Sequence, residues 1–141
     1  MFQIGELLKF SPFEFKNGMQ PKPKYFIVLG HLNDKVLMAC LPTSKDHIPA
    51  DVVVERGCVD VQERGVNAYV FSPKEKTTPT FSFPRTTYVY GEQVDEYEQK
   101  YLDEMSSVIE HLGMIDPQQF LDLRDCIKKA KALRRKYRQL L

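Results

Sequence analysis

The pattern of apolar residues changes once along this chain, near residue 90, and this change constrains the fold more than any other feature. Before it, short β-branched and aromatic runs alternate with turn residues, which is typical of strands. After it, apolar residues recur every three or four positions, which is typical of amphipathic helices. The 141 residues are the length of one ordinary domain. We therefore predict a single α+β domain over 1–141, with a β part at 1–90 and a helical part with a basic tail at 91–141.

Within the β part, turn residues delimit a series of short strands. We predict strands at 4–10, 24–29, 35–41, 51–55, 58–61, 67–71 and 85–90. Asn33 and Asp34 mark a turn between the second and third strands. Many short strands separated by turns indicate a barrel or a tightly curled sheet. The connection at 11–24 is longer than most, which favours a functional loop.

Two helices are predicted after the β part. The first covers 94–112 and ends at Gly113, a residue that suits the position after a helix. The second begins with a capping box, in which Asp116 is the cap, Pro117 the first helical residue and Gln119 the reciprocal partner. Its apolar stripe is more typical of core than of a cofactor site, and it consists of Phe120, Leu123, Ile127, Ala130, Leu133 and Tyr137.

Charge is distributed unevenly although the net charge is only +1. The stretch 91–125 holds ten acidic residues, whereas 127–141 holds seven basic residues and no acidic one. A basic stretch of this kind binds nucleic acid or an acidic partner, or else it is the solvated face of a helix. Both interpretations stay open, and a protein-interaction module that works through the two charged helices is one hypothesis.

Several classes of protein and site are not expected. No stretch approaches the roughly 18 consecutive apolar residues of a membrane helix, and the first residues do not form a signal peptide, so we expect a cytoplasmic protein with no membrane contact. Cys40, Cys58 and Cys126 form no CxxC pair, so we expect reduced cysteines and no metal site. Walker, GxGxxG, HExxH and GxSxG motifs are absent from the sequence.

Short motifs occur in an order that is typical of one family. The first strand opens with GELL at 5–8, the second is KYFIVL at 24–29, and the third ends in LPTS at 41–44. FSFPRTTYV at 81–89 and LGMIDPQQF at 112–120 supply a late strand and the start of the last helix. This ordered set resembles the MazF/PemK family of bacterial growth-inhibiting toxins.

The resemblance implies both a fold and an activity. The fold is an SH3-like β-barrel with two C-terminal helices, usually assembled as a homodimer. The activity is that of the toxin component of a type II toxin–antitoxin system, an endoribonuclease that cleaves single-stranded RNA without a metal or other cofactor. The implied partners are single-stranded RNA and a cognate antitoxin that blocks the RNA site.

The family's catalytic positions fall on Lys24, Thr43 and Ser44. Lys24 replaces an arginine, so it offers a point charge where the family has a bidentate fork, although lysine still stabilises phosphate charge. Without the resemblance, Lys24 equally suits a solvated strand entry, and Thr43 and Ser44 equally suit a turn that bonds its own backbone. A non-catalytic RNA- or protein-binding module on the same fold is therefore the alternative hypothesis.

Other candidate residues lie around these positions. Aromatic rings interleaved with lysines suit single-stranded RNA, because bases stack on the rings while lysines meet phosphates. On this basis the RNA-binding candidates are Phe13, Phe15, Lys16 and Lys22, and Arg85 is a separate candidate for a phosphate contact. The two phenylalanines equally suit closing one end of the barrel. His31 and His47 are candidate general acids or bases, because histidine titrates near neutral pH.

Overall fold

The computed structural model describes residues 2–13, 22–41 and 54–141, with backbone only for 12, 13 and 22. Within these ranges the chain is an α+β protein with two antiparallel sheets and three helices. The strands are β1 (Glu6–Phe13), β2 (Lys22–Leu32), β3 (Lys35–Leu41), β4 (Gly57–Val61), β5 (Val66–Phe71), β6 (Thr87–Val89), β7 (Val94–Glu98) and β8 (Ile109–Met114). The helices are α1 (Gln99–Glu104), α2 (Pro117–Ile127) and α3 (Arg135–Arg138).

The larger sheet has five strands in the order β7-β3-β2-β1-β8, and a tight hairpin lies at its centre. Its β2–β3 turn contains Asn33 with φ 57°, a left-handed conformation that asparagine tolerates. The predicted turn is therefore confirmed. Both ends of the loop predicted at 11–24 are strand, because β1 and β2 continue as a pair until Phe13 lies opposite Lys22.

The smaller sheet has three strands in the order β4-β5-β6. Two predicted strands are confirmed with small shifts in their ends, and the strand predicted at 85–90 is reduced to three residues. Of the strand predicted at 51–55, only 54 and 55 are described, and neither is in a strand. Among the described residues the strands form two separate sheets and do not close into one barrel.

The helix predicted at 94–112 is wrong. This stretch contains β7, the short helix α1 and β8, and the two strands pair with β3 and β1 at opposite edges of the larger sheet. Val94 and Tyr97 are both buried although they are three residues apart, so their spacing imitated a helix. Through these pairings the backbone groups along the edges of β3 and β1 gain hydrogen-bond partners. Gly113, with φ 114°, lies inside β8 and does not end a helix.

The second predicted helix is confirmed at its start. The Asp116 side chain accepts a hydrogen bond from the Gln119 backbone N–H at 3.1 Å, as an N-cap does. The Gln119 side chain donates instead to the Lys76 carbonyl, so only half of the capping box forms. α2 ends at Ile127, earlier than the stripe predicts, yet all six residues of the stripe are buried. No helix in the described ranges is long and apolar enough to cross a bilayer.

Both faces of the larger sheet are buried, and this explains the unbroken apolar run of β2. Ile27 and Leu29 face a core shared with the smaller sheet and α2. Phe26 and Val28 face a second core with residues of β7, α1 and β8. Successive side chains of a strand point to opposite faces, so neither set is left in solvent.

The cysteine prediction is wrong for two of the three residues. Cys58 of β4 and Cys126 of α2 form a disulfide with a Cα–Cα distance of 5.5 Å, whereas Cys40 is free. The two residues are 68 positions apart in the chain. Only the packing of α2 against the smaller sheet brings them together, so their spacing carried no signal.

Candidate nucleic-acid interface

Lys24 lies near the start of β2, and its side chain is buried. Only 9% of its surface is exposed, and its Nζ donates a long hydrogen bond of 3.5 Å to the Leu41 carbonyl of β3. Tyr25 pairs with Leu41, so Lys24 lies level with the end of β3. The cation therefore lies at the strand end from which the chain continues to Thr43 and Ser44.

Two ionisable groups on the same side of the sheet as Lys24 stay neutral at ordinary pH. Burial raises the pKa of the Cys40 thiol to about 11, and the positive charge of Lys24 opposes this shift. Burial also raises the pKa of the Tyr97 hydroxyl, with Cys40 adding to the shift. Both groups therefore keep their protons near neutral pH. Lys24 provides positive charge in a buried corner, where a charge acts more strongly than in water.

Tyr25 points to the opposite face of β2 and belongs to a cluster of aromatic rings. Its ring centroid lies 5.6 Å from that of Phe81 and 5.4 Å from that of Phe83. Tyr25 and Phe81 are only partly buried, and Lys9 Nζ lies 5.9 Å from the centroid of the Tyr25 ring. Partly exposed rings beside a cation suit the stacking of single-stranded bases. Tyr25, Phe81 and Lys9 are thus candidate site residues that the sequence analysis did not single out.

A signal for part of this cluster was present in the sequence. The alternation FSF at 81–83 matches a half-buried strand, yet the segment forms a turn in which Thr77 and Thr78 N–H groups donate to the Phe81 carbonyl. Arg85 follows two residues after the buried Phe83 and is exposed to solvent. Of the predicted RNA-binding residues, Arg85 is therefore close in the chain to the aromatic cluster.

His31 lies in β2 and not in a loop. It is exposed and pairs with Val36 near the far end of the hairpin. Seven residues of strand separate it from Lys24, which corresponds to about 24 Å at about 3.4 Å per residue. The structure does not bring His31 and Lys24 together.

The remaining predicted site residues are described in part or not at all. The backbones of Phe13 and Lys22 pair with each other at the end of the β1–β2 hairpin. Five candidates lie outside the described residues: Phe15, Lys16, Thr43, Ser44 and His47.

A carboxylate–imidazole pair lies at the other end of β1. His111 Nδ1 of β8 is 2.5 Å from Glu6 Oε2, and the second oxygen of Glu6 accepts from the Gln3 backbone N–H. Phe2 stacks on the His111 ring at a centroid distance of 5.8 Å. The pair ties the N-terminal residues to β8. His111 thus lies in β8 and not in the helix predicted at 94–112.

A surface cavity of about 600 Å³ lies at the start of α2. Ile4, Met114 and Leu121 line it, and these are the large apolar side chains that stay exposed among the described residues. Asp116 and Lys76 also line it. The cavity is thus an apolar surface with one charge of each sign at its lining, separate from the end of β3 where Lys24 lies.

No family model matches this chain, and no curated protein matches it. Within the described ranges, no group of three or more His, Cys, Asp or Glu side chains is arranged to hold a metal ion. The residues around Lys24 and Tyr25 therefore carry the functional interpretation.

Proposed function

We propose that this chain is a MazF/PemK-like toxin, a metal-independent endoribonuclease that cleaves single-stranded RNA. The observation that carries the proposal is the buried cation of Lys24 beside Leu41, which is the last residue of β3 and precedes Thr43 by two positions in the chain. The partly exposed rings of Tyr25 and Phe81 support it, because they offer a stacking surface on the opposite face of β2, beside the cation of Lys9.

The reaction proposed is attack of an RNA 2′-hydroxyl on the adjacent phosphorus. The 2′-oxygen forms a bond to phosphorus, the bond to the 5′-oxygen breaks, and a 2′,3′-cyclic phosphate and a 5′-hydroxyl result. A base removes the 2′ proton and an acid protonates the leaving oxygen. Lys24 and Thr43, with Ser44, stabilise the charge of the phosphorane. His47 remains the candidate acid or base, since His31 is remote from Lys24.

Cleavage of RNA in EDTA tests this proposal. Purified protein is incubated with long RNA that contains structured and unstructured regions, beside Lys24→Ala, Lys24→Arg and Thr43→Ala variants. We expect the wild type to cut at a few sites. Loss of one donor to the transition state reduces rates by about 100-fold or more, so we expect that loss for Lys24→Ala and recovery for Lys24→Arg.

Lys100→Ala is the matched control, because Lys100 is an exposed lysine on α1. Its cleavage rate should equal that of the wild type. Intact RNA after incubation with folded wild-type protein would count against the proposal. Equal cleavage rates for the wild type and Lys24→Ala would mean that the chain is an endoribonuclease but that Lys24 does not take part in catalysis.

The alternative is a non-catalytic module that binds RNA or a protein. The hydrogen bond of Lys24 to the Leu41 carbonyl favours it, because a lysine held in this way can serve packing alone. Binding of RNA without cleavage, unchanged in Lys24→Ala, would support it. The hypothesis of a protein-interaction module that works through an acidic and a basic helix is no longer supported, because the acidic stretch contains the strands β7 and β8.

Further properties belong to the same proposal. The SH3-like barrel arrangement of the strands, the homodimer and the cognate antitoxin are implied by the resemblance. A cytoplasmic location is the expectation from the sequence. Co-purification of the chain with the product of an adjacent small gene would support the antitoxin.

A further inference from the structure

The basic C-terminal stretch is folded onto the protein and is not a free tail. After α2 the chain turns and continues into α3, and Ala130, Leu133 and Tyr137 are buried in the core shared by the two sheets. These three anchors determine the direction of the residues between them. The intervening basic side chains therefore lie on the surface.

Three of the seven basic residues have structural partners. Arg138 donates to the carbonyls of residues 128, 130 and 133 at 2.8, 2.7 and 3.1 Å, which closes the turn after α2. Lys136 Nζ lies 3.4 Å from a Glu96 carboxylate oxygen. The Arg134 guanidinium lies 5.7 Å from the centroid of the Tyr137 ring. These cations stabilise the fold of the segment.

Lys129, Lys131 and Arg135 are exposed and form the outer surface of the same segment. Lys129 is near Asp60, whose pKa is lowered by hydrogen bonds from Asn67 and Gln62 and, to a smaller extent, by Lys129. Among the described residues no ion pair is found for Lys131 or Arg135. We call Lys129, Lys131 and Arg135 the basic surface.

A chain of contacts links the segment that carries the basic surface to the strand end that holds Lys24. The backbone at Gly91 is in close contact with Ala130, since a Cβ on Gly91 would lie 2.7 Å from the Ala130 Cβ. Gly91 begins the 3-10 turn before β7, and Val94 of β7 pairs with Ala39. Ala39 is two residues before Leu41, whose carbonyl accepts from Lys24. The contacts that connect Lys24 with Ala130 therefore pass through the paired strands β3 and β7 and through the turn at Gly91.

The composition of the surface favours a polyanion over a protein partner. The exposed residues from 131 to 136 are four cations and Ala132, with no exposed aromatic or large aliphatic side chain. Protein interfaces need an apolar core, whereas binding to a phosphate backbone depends on cations alone. The phosphates of a nucleic-acid strand supply negative charge to such a surface without an apolar contact.

We propose that Lys129, Lys131 and Arg135 bind the phosphate backbone of the same single-stranded RNA whose reacting phosphate lies at Lys24. This rests on the proposed function, which it deepens by assigning a second region of the protein that binds the substrate. The surface adds affinity without sequence preference, because phosphates carry no base information. Sequence selectivity is left to the aromatic cluster and the strand end.

The test is the salt dependence of binding to a 2′-O-methyl RNA oligonucleotide, which cannot be cleaved by 2′-hydroxyl attack. The variants are Lys129→Gln/Lys131→Gln/Arg135→Gln and Lys131→Gln alone. Removing one cation that binds a phosphate lowers the slope of log K against log salt by about 0.7 for single strands, so the triple variant should lose about 2. The slope of the single variant should fall by about 0.7, and this result tests the proposal even if the triple variant misfolds.

The matched control neutralises three exposed lysines elsewhere, Lys74, Lys76 and Lys100. Its slope should stay at the wild-type value. The proposal is overturned if the wild type does not bind the oligonucleotide, if the basic-surface variants keep the wild-type slope, or if the control loses as much. Binding of wild type to acidic lipid vesicles but not to RNA would overturn it in favour of a membrane partner.

Cleavage of unmodified RNA separates the two proposals. If RNA is cut but the slope is unchanged in the basic-surface variants, the proposal for the basic surface is wrong and the proposed endoribonuclease activity is retained. If the slope falls by about 2 in the triple variant but RNA is never cut, the basic surface binds RNA as proposed, and the chain is a binding module and not an enzyme.

Discussion

Lys24 is the residue on which the proposed site depends. A buried ammonium is stable only where polar atoms replace its lost water, and the Leu41 carbonyl is one such atom. Its positive charge reaches Cys40 and opposes the rise in the pKa of that thiol. A cation held in this way has a defined position, and stabilisation of a transition state requires a preorganised charge.

The reactivity of Cys40 reports this charge directly. Burial raises the pKa of the thiol from 9.0 to about 11, so about 100-fold less thiolate is present near neutral pH. We expect slow alkylation of Cys40 by iodoacetamide, with a rate that rises up to about pH 11. Lys24→Ala removes a charge that favours the thiolate, so the pKa should rise further and alkylation should slow at every pH below it. Mass spectrometry of the intact protein measures the rate.

Lys35→Ala is the control, because Lys35 lies at the other end of β3 beside Glu96. It should leave the alkylation rate unchanged. Faster alkylation in Lys24→Ala would mean that the variant opens access to Cys40 and that the charge does not govern it.

Among the secondary-structure elements, the contact between the Gly91 turn and the segment after α2 decides where the basic surface lies. Replacing Gly91 by Ala would put two Cβ atoms 2.7 Å apart, so one backbone must move. Overpacking of this kind costs about 1–3 kcal/mol, and we expect Gly91→Ala to lower the free energy of unfolding in urea by that amount. Ala130→Gly in the same chain should restore part of the loss.

Gly30→Ala provides the comparison. A Cβ on Gly30 would meet its nearest atom, the Leu140 carbonyl oxygen, at an ordinary distance of 3.9 Å. This variant should lose much less stability than Gly91→Ala. Equal losses would mean that strand or turn preferences, and not the contact with Ala130, set the cost.

For the whole molecule, the disulfide between Cys58 and Cys126 ties the smaller sheet to α2. Closing a loop of 68 residues reduces the entropy of the unfolded chain by an amount worth about 4 kcal/mol at 25 °C. Cys58 is exposed, so a reductant reaches the bond from solvent. We expect dithiothreitol to lower the urea midpoint of the wild type. In a Cys58→Ser/Cys126→Ala variant dithiothreitol should leave the urea midpoint unchanged. A wild-type urea midpoint that is the same with and without dithiothreitol would contradict the prediction.

The sequence predicted much of the β part because its signals are local. The Asn33 turn, the limits of β3 and the Asp116 cap each depend on a few neighbouring residues. The burial of the apolar stripe from Phe120 to Tyr137 was predictable for the same reason. Lys24 became a candidate through the resemblance, which puts a basic residue at the head of the second strand.

By itself, then, the sequence determined the α+β class, the central hairpin and the start of α2. The tertiary structure alone decided that 94–112 contains two edge strands, that Cys58 meets Cys126, and that Tyr25 and Phe81 stand together. Each of these joins residues that are distant in the chain. Free sheet edges and the contacts of packed faces exist only once the chain has folded, so spacing along the chain carries no record of them.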